Sequence, residues 1–479
     1  MITAKNYIDG NFEETREFTN IVSPLDGEVI GNVPQSGEAE IESAVTAAEA
    51  AFPSWSDLAP AARGAYLQKA ASLIEQHAEQ LALIAMKEMG KPLAEMKGEV
   101  MRGVNILRYY AVEGWHANGD VIPASDAKTF QYTTKVPVGP VALITPWNFP
   151  VAIPLWKIAP ALIYGNTIVW KAAEQSSLSG YELMKLLAEA GFPKGVINYV
   201  SGRGSKLGPL LVEAAAIQAV SFTGSDVVGR DVAVRATKRG IKFQTEMGGK
   251  NALIVADDAD LDLTVDVTIS GAMRSAGQKC TATSRVIVDA TVYEEFKQKL
   301  VDKVQALRVG QPHDPATYVG PVSSHRQRDS IMDFIQKGTA EGATVLIGGR
   351  APDDETLSKG AYVLPTIFDG VHRTMTIAQE EIFGPVIALL KADDFNDAID
   401  ILNDSRYGLS ASIFTKSLQK AFEFVKRAEV GMVRVNAETA GVELHAPFGG
   451  MKGSSSHTRE QGRAAMEFYT HTKTVSITT

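Results

Sequence analysis

The chain has 479 residues, 45% hydrophobic and 22% charged, with 47 basic against 56 acidic side chains for a net charge of −9. Its length and apolar content support two or three packed domains, and an acidic balance without basic runs interleaved with aromatics excludes a nucleic-acid surface. The opening MITAKNYIDGNFEET has no apolar core, so no export signal is expected there. The most apolar region, residues 136–170, is broken by six prolines and makes no clean membrane span.

In chain order, residues 6–12 read as a short strand. Residues 37–52 and 61–89 space Leu67, Ala70, Leu73, Ile74, Leu81 and Ile84 as the buried face of amphipathic helices. Gly90 stops the second run, and residues 95–110 resume as another helix. Residues 120–137 alternate through Thr129, Gln131, Thr133 and Lys135, which predicts an exposed β-hairpin whose open edges call for a second subunit. From Val141, strands at 141–145, 166–171, 196–202, 219–224 and 242–247 alternate with helices such as 179–190 and 204–213. That is the layout of a parallel sheet that binds nucleotides past the carboxyl ends of its strands. A second such run follows Gly249, with strands at 251–256, 284–289, 344–349, 386–391 and 410–415, helices from Leu261 and over 292–307, and a last strand within 467–479. The expected fold is α/β: two doubly wound Rossmann-like domains, residues 1–119 with 141–248 and residues 249–459, with the exposed β-hairpin and the last strand outside them.

The glycine signals of the first domain are imperfect. Gly202, Gly204 and Gly208 are spaced G-x-G-x-x-x-G, while Phe222-Thr223-Gly224-Ser225 runs to Gly229 between a strand and a helix start. Either alone is an ordinary turn; together they place two helix N-termini where a pyrophosphate could lie. Lys171 and Glu174, just past the strand 166–171, are either solvated loop charges or a clamp on an adenosine ribose. A carboxylate there repels a 2′-phosphate, so NAD is expected over NADP.

Cys280 is the only cysteine. It can form neither an internal disulfide nor a thiolate metal site, so it either packs or reacts, and an unpaired thiol agrees with a reducing, cytoplasmic setting. No H-E-x-x-H or paired-cysteine spacing occurs, so no metal is expected. The segment SGAMRSAGQKCTATSR surrounds Cys280 with small polar residues at the expected mouth of a helix, where a helix N-terminus would lower its pKa. A thiolate suits aldehyde oxidation, because the flat carbonyl carbon must become tetrahedral before hydride can leave. The oxyanion so formed needs donors, and the remaining thioester needs water and a base. Asn148, in Thr145-Pro146-Trp147-Asn148-Phe149-Pro150, is either a turn cap or an oxyanion donor beside the Cys280 N–H. Glu246, in Thr245-Glu246-Met247-Gly248-Gly249-Lys250, is either an edge-strand surface charge or a base whose pKa is raised by neighbours such as Met247.

The segments TPWNFP, WKAAE, FTGS, EMGGKN, GQKC, EEIFGPV and APFGGMKGS together resemble the aldehyde dehydrogenase superfamily over essentially the whole chain. The resemblance implies Cys280 as nucleophile, Glu246 as general base and Asn148 as oxyanion donor. For NAD, with NADP possible, it implies Lys171 and Glu174 at one ribose, Gly224 and Ser225 at the pyrophosphate, Glu381 at the other ribose and Phe383 beside the nicotinamide. Thr145, Trp147, Gly204, Gly208, Thr223, Gly229 and Gly248 complete that expected surface. It also implies that residues 120–140 with 460–479 form a β-hairpin oligomerisation arm in a homodimer or homotetramer.

Arg274, six residues before Cys280, stands where succinate semialdehyde dehydrogenases hold an arginine for a substrate carboxylate; a structural salt bridge is the alternative. A second arginine of those enzymes, eight residues after the asparagine, is here Trp156, an aromatic wall, and Phe149 joins it as an expected substrate contact. Residues 436–462 are similar to enzymes acting on 2,5-dioxopentanoate, which therefore ranks ahead of succinate semialdehyde and neutral aldehydes. Within the superfamily a CoA-acylating dehydrogenase is the nearest alternative, and Glu246 favours water over CoA as acyl acceptor. A cysteine hydrolase would need a histidine in a segment expected to meet Cys280. A non-catalytic nucleotide-binding protein has no use for Cys280, Glu246 and Asn148 together.

Overall fold

Short aliphatic runs such as VALI and IVWK are buried along their whole length, as strands covered on both faces must be. The computed structural model describes residues 1–479. Its first large sheet runs, in spatial order, Lys242–Glu246, Ala219–Thr223, Val141–Ile144, Ile168–Lys171 and Ile197–Val200, all parallel. The antiparallel hairpin Asn6–Ile8 and Asn11–Glu13 extends its far edge. Strand order reverses between Val141–Ile144 and Ala219–Thr223, which opens a crevice past their carboxyl ends. Helices Pro60–Gln76, Ala78–Met89, Leu93–Glu113 and Ala152–Ile163 share a 45-residue apolar cluster with the sheet. A smaller cluster of 18 lies under Glu38–Ser56, Gly204–Glu213 and Asp226–Arg239. Every residue of Ala152–Ile163 is buried, most of them in the larger cluster, so the turn feeding that helix is held from behind.

The second large sheet runs Thr344–Ile347, Thr366–Asp369, Val386–Ala392, Arg285–Asp289, Ala252–Val255, Ser410–Phe414 and Met432–Val435 around an apolar cluster of similar size. All pairings are parallel except that of Thr344–Ile347, an edge strand that the sequence pattern places among the parallel ones. The chain passes from the carboxyl end of Lys242–Glu246 to the amino end of Ala252–Val255 through residues 247–251. The carboxyl edge of the first sheet therefore faces the amino edge of the second.

The two terminal expectations meet in a third sheet, where Thr129–Pro137 pairs with Val121–Ile122 on one side and Thr470–Thr478 on the other. Residues 460–469 lie off this sheet, with Glu460, Phe468 and Tyr469 buried in the first body.

Other local expectations change. Residues 6–12 form two strands, because Asp9 and Gly10 both take positive φ in the hairpin turn. The 61–89 run is two helices broken at His77; Ile74 and Leu81 stay buried on either side, so apolar spacing carries through the break unseen. Strands Phe18–Val22 and Val29–Pro34 and helices His325–Ala340, Phe395–Asn403 and Leu418–Arg427 add to the expected elements. No helix is long and apolar enough to cross a membrane.

Candidate active site

Between the two facing edges lies a cavity of about 270 Å³, with Asn148, Thr223, Gly224, Cys280, Glu381 and Phe383 on its wall. The Asn148 turn is clamped at both ends. Thr145 Oγ1 accepts the Trp170 indole N–H at 2.9 Å. At the other end, buried Glu99 accepts the N–H groups of Val151 and Ala152 at 2.9 and 3.2 Å and pairs with buried Lys91 at 2.7 Å. The Lys91 ammonium also sits 3.5 Å over the ring of half-buried Phe149. Asn148 Nδ2 donates one hydrogen to the carbonyl of Gln278 at 3.0 Å, which orients the amide and leaves its second N–H free. Gln278 is fixed in turn by the Ser323 N–H, 2.9 Å from its Oε1.

Cys280 departs from expectation in one respect. No helix starts there: Leu261–Met273 ends upstream, Ser275, Ala276 and Gly277 take left-handed φ values of 56°, 50° and 70°, and the next element is the strand Arg285–Asp289. Asn251 Nδ2 holds the segment through the carbonyls of Cys280 and Ala282 at 2.7 and 2.9 Å. With no helix terminus to stabilise a thiolate, burial pushes the Cys280 thiol up to about 12. The Glu381 and Glu246 carboxylates add to the rise, and the N–H groups of Cys280 and Thr281 oppose it.

Glu246 is fully buried, which removes the alternative of an exposed edge-strand charge. The segment 454–456 covers it: Met247 N–H donates to Ser454 O at 2.8 Å, Ser456 N–H to Thr245 O at 2.9 Å, and Ser455 Oγ to Glu246 Oε2 at 2.5 Å. The other carboxylate oxygen has no partner. Burial first, then the charge of Glu460, raise the Glu246 carboxyl well above its ordinary range, against Ser455, Lys157 and Arg459. Glu246 is off the cavity wall, yet close enough for its charge to act on Cys280.

Along the first sheet's carboxyl edge the side chains suit an anionic ligand with hydroxyl groups. Thr223 Oγ1 is buried without a partner, and exposed Ser225 precedes the helix Asp226–Arg239 without capping it, so the helix N–H groups stay open. Farther along, Lys171 is buried with its ammonium beside the start of Gly204–Glu213; burial pulls it down to about 8 while Glu174 opposes. Glu174 accepts Gln35 Nε2 at 3.1 Å, and Gly208 faces open space one turn into the helix.

From the second sheet, Glu381 reaches across so closely that a Cβ on Gly248 would lie 2.2 Å from its Oε2. The Gly249 N–H donates to its Oε1 at 3.1 Å, and burial pushes its carboxyl up to about 7. Phe383, at φ 56°, meets Trp147 edge-on at 5.4 Å.

The remaining expected residues lie elsewhere. Gly229 serves helix–strand packing, since a Cβ there would meet Met247 Sδ at 2.5 Å. Thr145 is occupied by Trp170, Phe149 by Lys91, and Trp156 is buried against Phe448 at 5.5 Å. Arg274 is exposed, beside Tyr318 and near Glu95 and Glu438, away from the cavity wall. Sequence reasoning passed over Gln278, Ser455, Gln327 and the Lys91–Glu99 pair. Gln278 stands inside G-Q-x-C and Ser455 just past GGMKGS, so both had a signal. Gln327, whose Nε2 donates to Phe383 O at 3.0 Å, had none.

Residues 12–475 match the sequence profile of the aldehyde dehydrogenase family. The chain is 49% identical to the alpha-ketoglutaric semialdehyde dehydrogenase of Bacillus subtilis over 99% of its length and 98% of the relative's. It is 40% identical to the 2,5-dioxopentanoate dehydrogenase of Saccharolobus solfataricus, covering 98% of each. Among solved structures, a betaine aldehyde dehydrogenase of Staphylococcus aureus in complex with NAD+ superposes with a TM-score of 0.97 at 35% identity, over 99% of this chain and 95% of that one.

Proposed function

The chain belongs to the aldehyde dehydrogenase family and oxidises aldehydes; from that premise we propose that its substrate is a carboxylate-bearing semialdehyde, 2,5-dioxopentanoate ahead of succinate semialdehyde, with NAD as oxidant. The observation that carries the chemistry is the meeting of the Cys280 thiol and the oriented Asn148 amide in one cleft with the open helix start at Ser225. The substrate reading is supported by 49% identity, over almost the whole length, to a relative named for that semialdehyde.

The Cys280 thiol releases its proton to solvent as Sγ adds to the aldehyde carbon, and the oxyanion takes the free N–H of Asn148 and the N–H of Cys280. NAD, when bound, supplies the hydride acceptor; Thr223, Gly224, Ser225, Lys171, Glu174 and Glu381 are the residues that would hold it. Glu246 then draws a proton from water, which attacks the thioester carbon and restores the thiol. A carboxyl held above its ordinary range is a stronger base once ionised.

In this reading residues 1–119 and 141–248 form the cofactor domain and 249–459 the catalytic domain. The arm exposes Val121, Phe130 and Ile477, which supports pairing with a second copy in a homodimer or homotetramer. The unpaired Cys280 supports a cytoplasmic setting. The test is the rate of reduced-nicotinamide formation with 2,5-dioxopentanoate, succinate semialdehyde and pentanal, each with NAD and NADP. Higher kcat/KM for the two acids with NAD is expected; faster turnover of pentanal rejects the substrate reading.

A further inference from the structure

Behind Cys280, away from the cofactor cleft, an apolar cluster joins the cysteine to Val442 and Phe448. The next layer out is polar. Trp156 lies on Phe448, Phe448 exchanges backbone hydrogen bonds with Glu460, and Gln461 follows. On the helix Leu93–Glu113, Arg102 spends one nitrogen on the Val442 carbonyl at 2.6 Å and on Gln461 Oε1 at 3.3 Å. The same helix packs on Ala152–Ile163, the helix that carries Trp156, where a Cβ on Gly103 would lie 2.6 Å from Leu155.

Three features of this layer remain unexplained by packing. Arg102 is half-buried, yet no carboxylate lies within salt-bridge distance, and its Nε–H and second terminal NH2 have no protein acceptor. Glu443 and Glu99 favour its charge from farther off, and a guanidinium taken out of water with no carboxylate in contact is costly unless an anion completes it. The buried Trp156 Nε1 and Gln461 Nε2, both donors, are likewise without partners. Gln461 also holds φ 61°, ψ 167°, a conformation nearly closed to side chains other than glycine, of the kind retained at ligand clamps. Arg274 offers a contrast in exposure: it stands in solvent beside Tyr318, with Glu95 and Glu438 near as Glu443 and Glu99 are near Arg102.

We propose that Arg102, with the Gln461 amide and the Trp156 indole N–H, recognises the carboxylate end of the substrate while its aldehyde end meets Cys280. With Nη2 spent on Val442 and Gln461, the free Nη1 amino group gives a carboxylate oxygen a charge-assisted hydrogen bond, and the two neutral donors serve the remaining oxygens, including a 2-oxo group. This assignment rests on the semialdehyde reading given above and moves carboxylate recognition from Arg274 to Arg102.

The test compares wild type, Arg102→Met, Arg102→Lys and Arg274→Met on 2,5-dioxopentanoate and pentanal with saturating NAD. Arg102→Met should lower kcat/KM for the semialdehyde about 100-fold, mostly through KM, with pentanal changed less than about threefold. Arg102→Lys should recover part of the loss, because the charge remains while the planar set of guanidinium donors does not. Competitive inhibition by 2-oxoglutarate, weakened to a similar degree in Arg102→Lys as its semialdehyde KM, keeps the inference testable if Arg102→Met does not fold. Equal losses on both aldehydes, or a semialdehyde loss confined to Arg274→Met, overturn the Arg102 assignment and leave the substrate reading standing. A wild type that prefers pentanal removes the substrate reading itself, and this inference with it.

Discussion

The two large sheets are both seven-stranded and mostly parallel, but they differ in strand order and contribute opposite edges to the cleft. The first offers its carboxyl edge, where the strand order reverses and the chain turns into helices; it provides N–H groups, hydroxyls and the Asn148 amide. The second offers its amino edge, where Cys280, Glu381 and Phe383 sit in the loops that precede Arg285–Asp289 and Val386–Ala392. Polarity decides what each edge can do. Helix starts at the carboxyl edge favour a bound anion. The amino edge has no such terminus near Cys280, and burial there drives its thiol pKa upward. Two mostly parallel sheets thus offer, in the reading proposed above, a binding surface in one half and a reactive group in the other, so function follows the edge and its side chains more than the fold.

The sharpest way to break this comparison is to remove the reactive group alone. Cys280→Ala should lower aldehyde oxidation by about 10⁴-fold or more, since no other thiol exists to form the covalent adduct. NAD binding, measured by calorimetry, should stay within about twofold of wild type, because the binding surface belongs mainly to the other edge. Retained oxidation would reject Cys280 as nucleophile; lost NAD binding would show that the two edges do not act separately.

The next effect concerns the resting thiol. With a pKa raised to about 12, the thiolate forms only at high pH and is lost as pH falls. Near neutral pH, iodoacetamide should alkylate Cys280 about 1,000-fold more slowly than a free cysteine, with the rate climbing about tenfold per pH unit and no plateau below about pH 10. Mass spectrometry of the single modified cysteine reads this directly. A plateau near neutrality would mean that the free enzyme stabilises a thiolate, and that the amino edge is better provided with donors than its geometry indicates.

The distribution of what the sequence made legible follows from the same two edges. Strand–helix alternation and the motif glycines belong to local backbone geometry, so the sheets and the turns at Asn148 and Ser225 could be read in one dimension. The left-handed run at Ser275–Gly277 could not, because GQKC in a polar segment looks the same before a helix as after one. Contacts between distant segments were equally hidden. Ser455 covers Glu246 from a segment far along the chain, and Arg102 takes its partners Val442 and Gln461 from 340 and 359 residues on. Arg274, six residues from Cys280, looked closer to the chemistry than it is, since proximity in sequence does not fix which way a turn sends a side chain.

The smallest effect tests the far end of the first edge. Glu174 is half-buried in the turn after Ile168–Lys171 and keeps one oxygen on Gln35 at 3.1 Å. Lys171 lies buried beside the next helix start, so a ribose held there presents its 2′ position to a carboxylate. A 2′-phosphate would meet like charge at a partly solvated site, which is worth about 1 kcal/mol, or roughly fivefold. Glu174→Gln keeps the shape and removes the charge, so kcat/KM with NADP should rise about fivefold relative to NAD, while the preference between semialdehyde and pentanal is unchanged. A shift in aldehyde preference would mean that this edge also shapes the substrate side; an unchanged NAD-to-NADP ratio would place the cofactor discrimination at another residue.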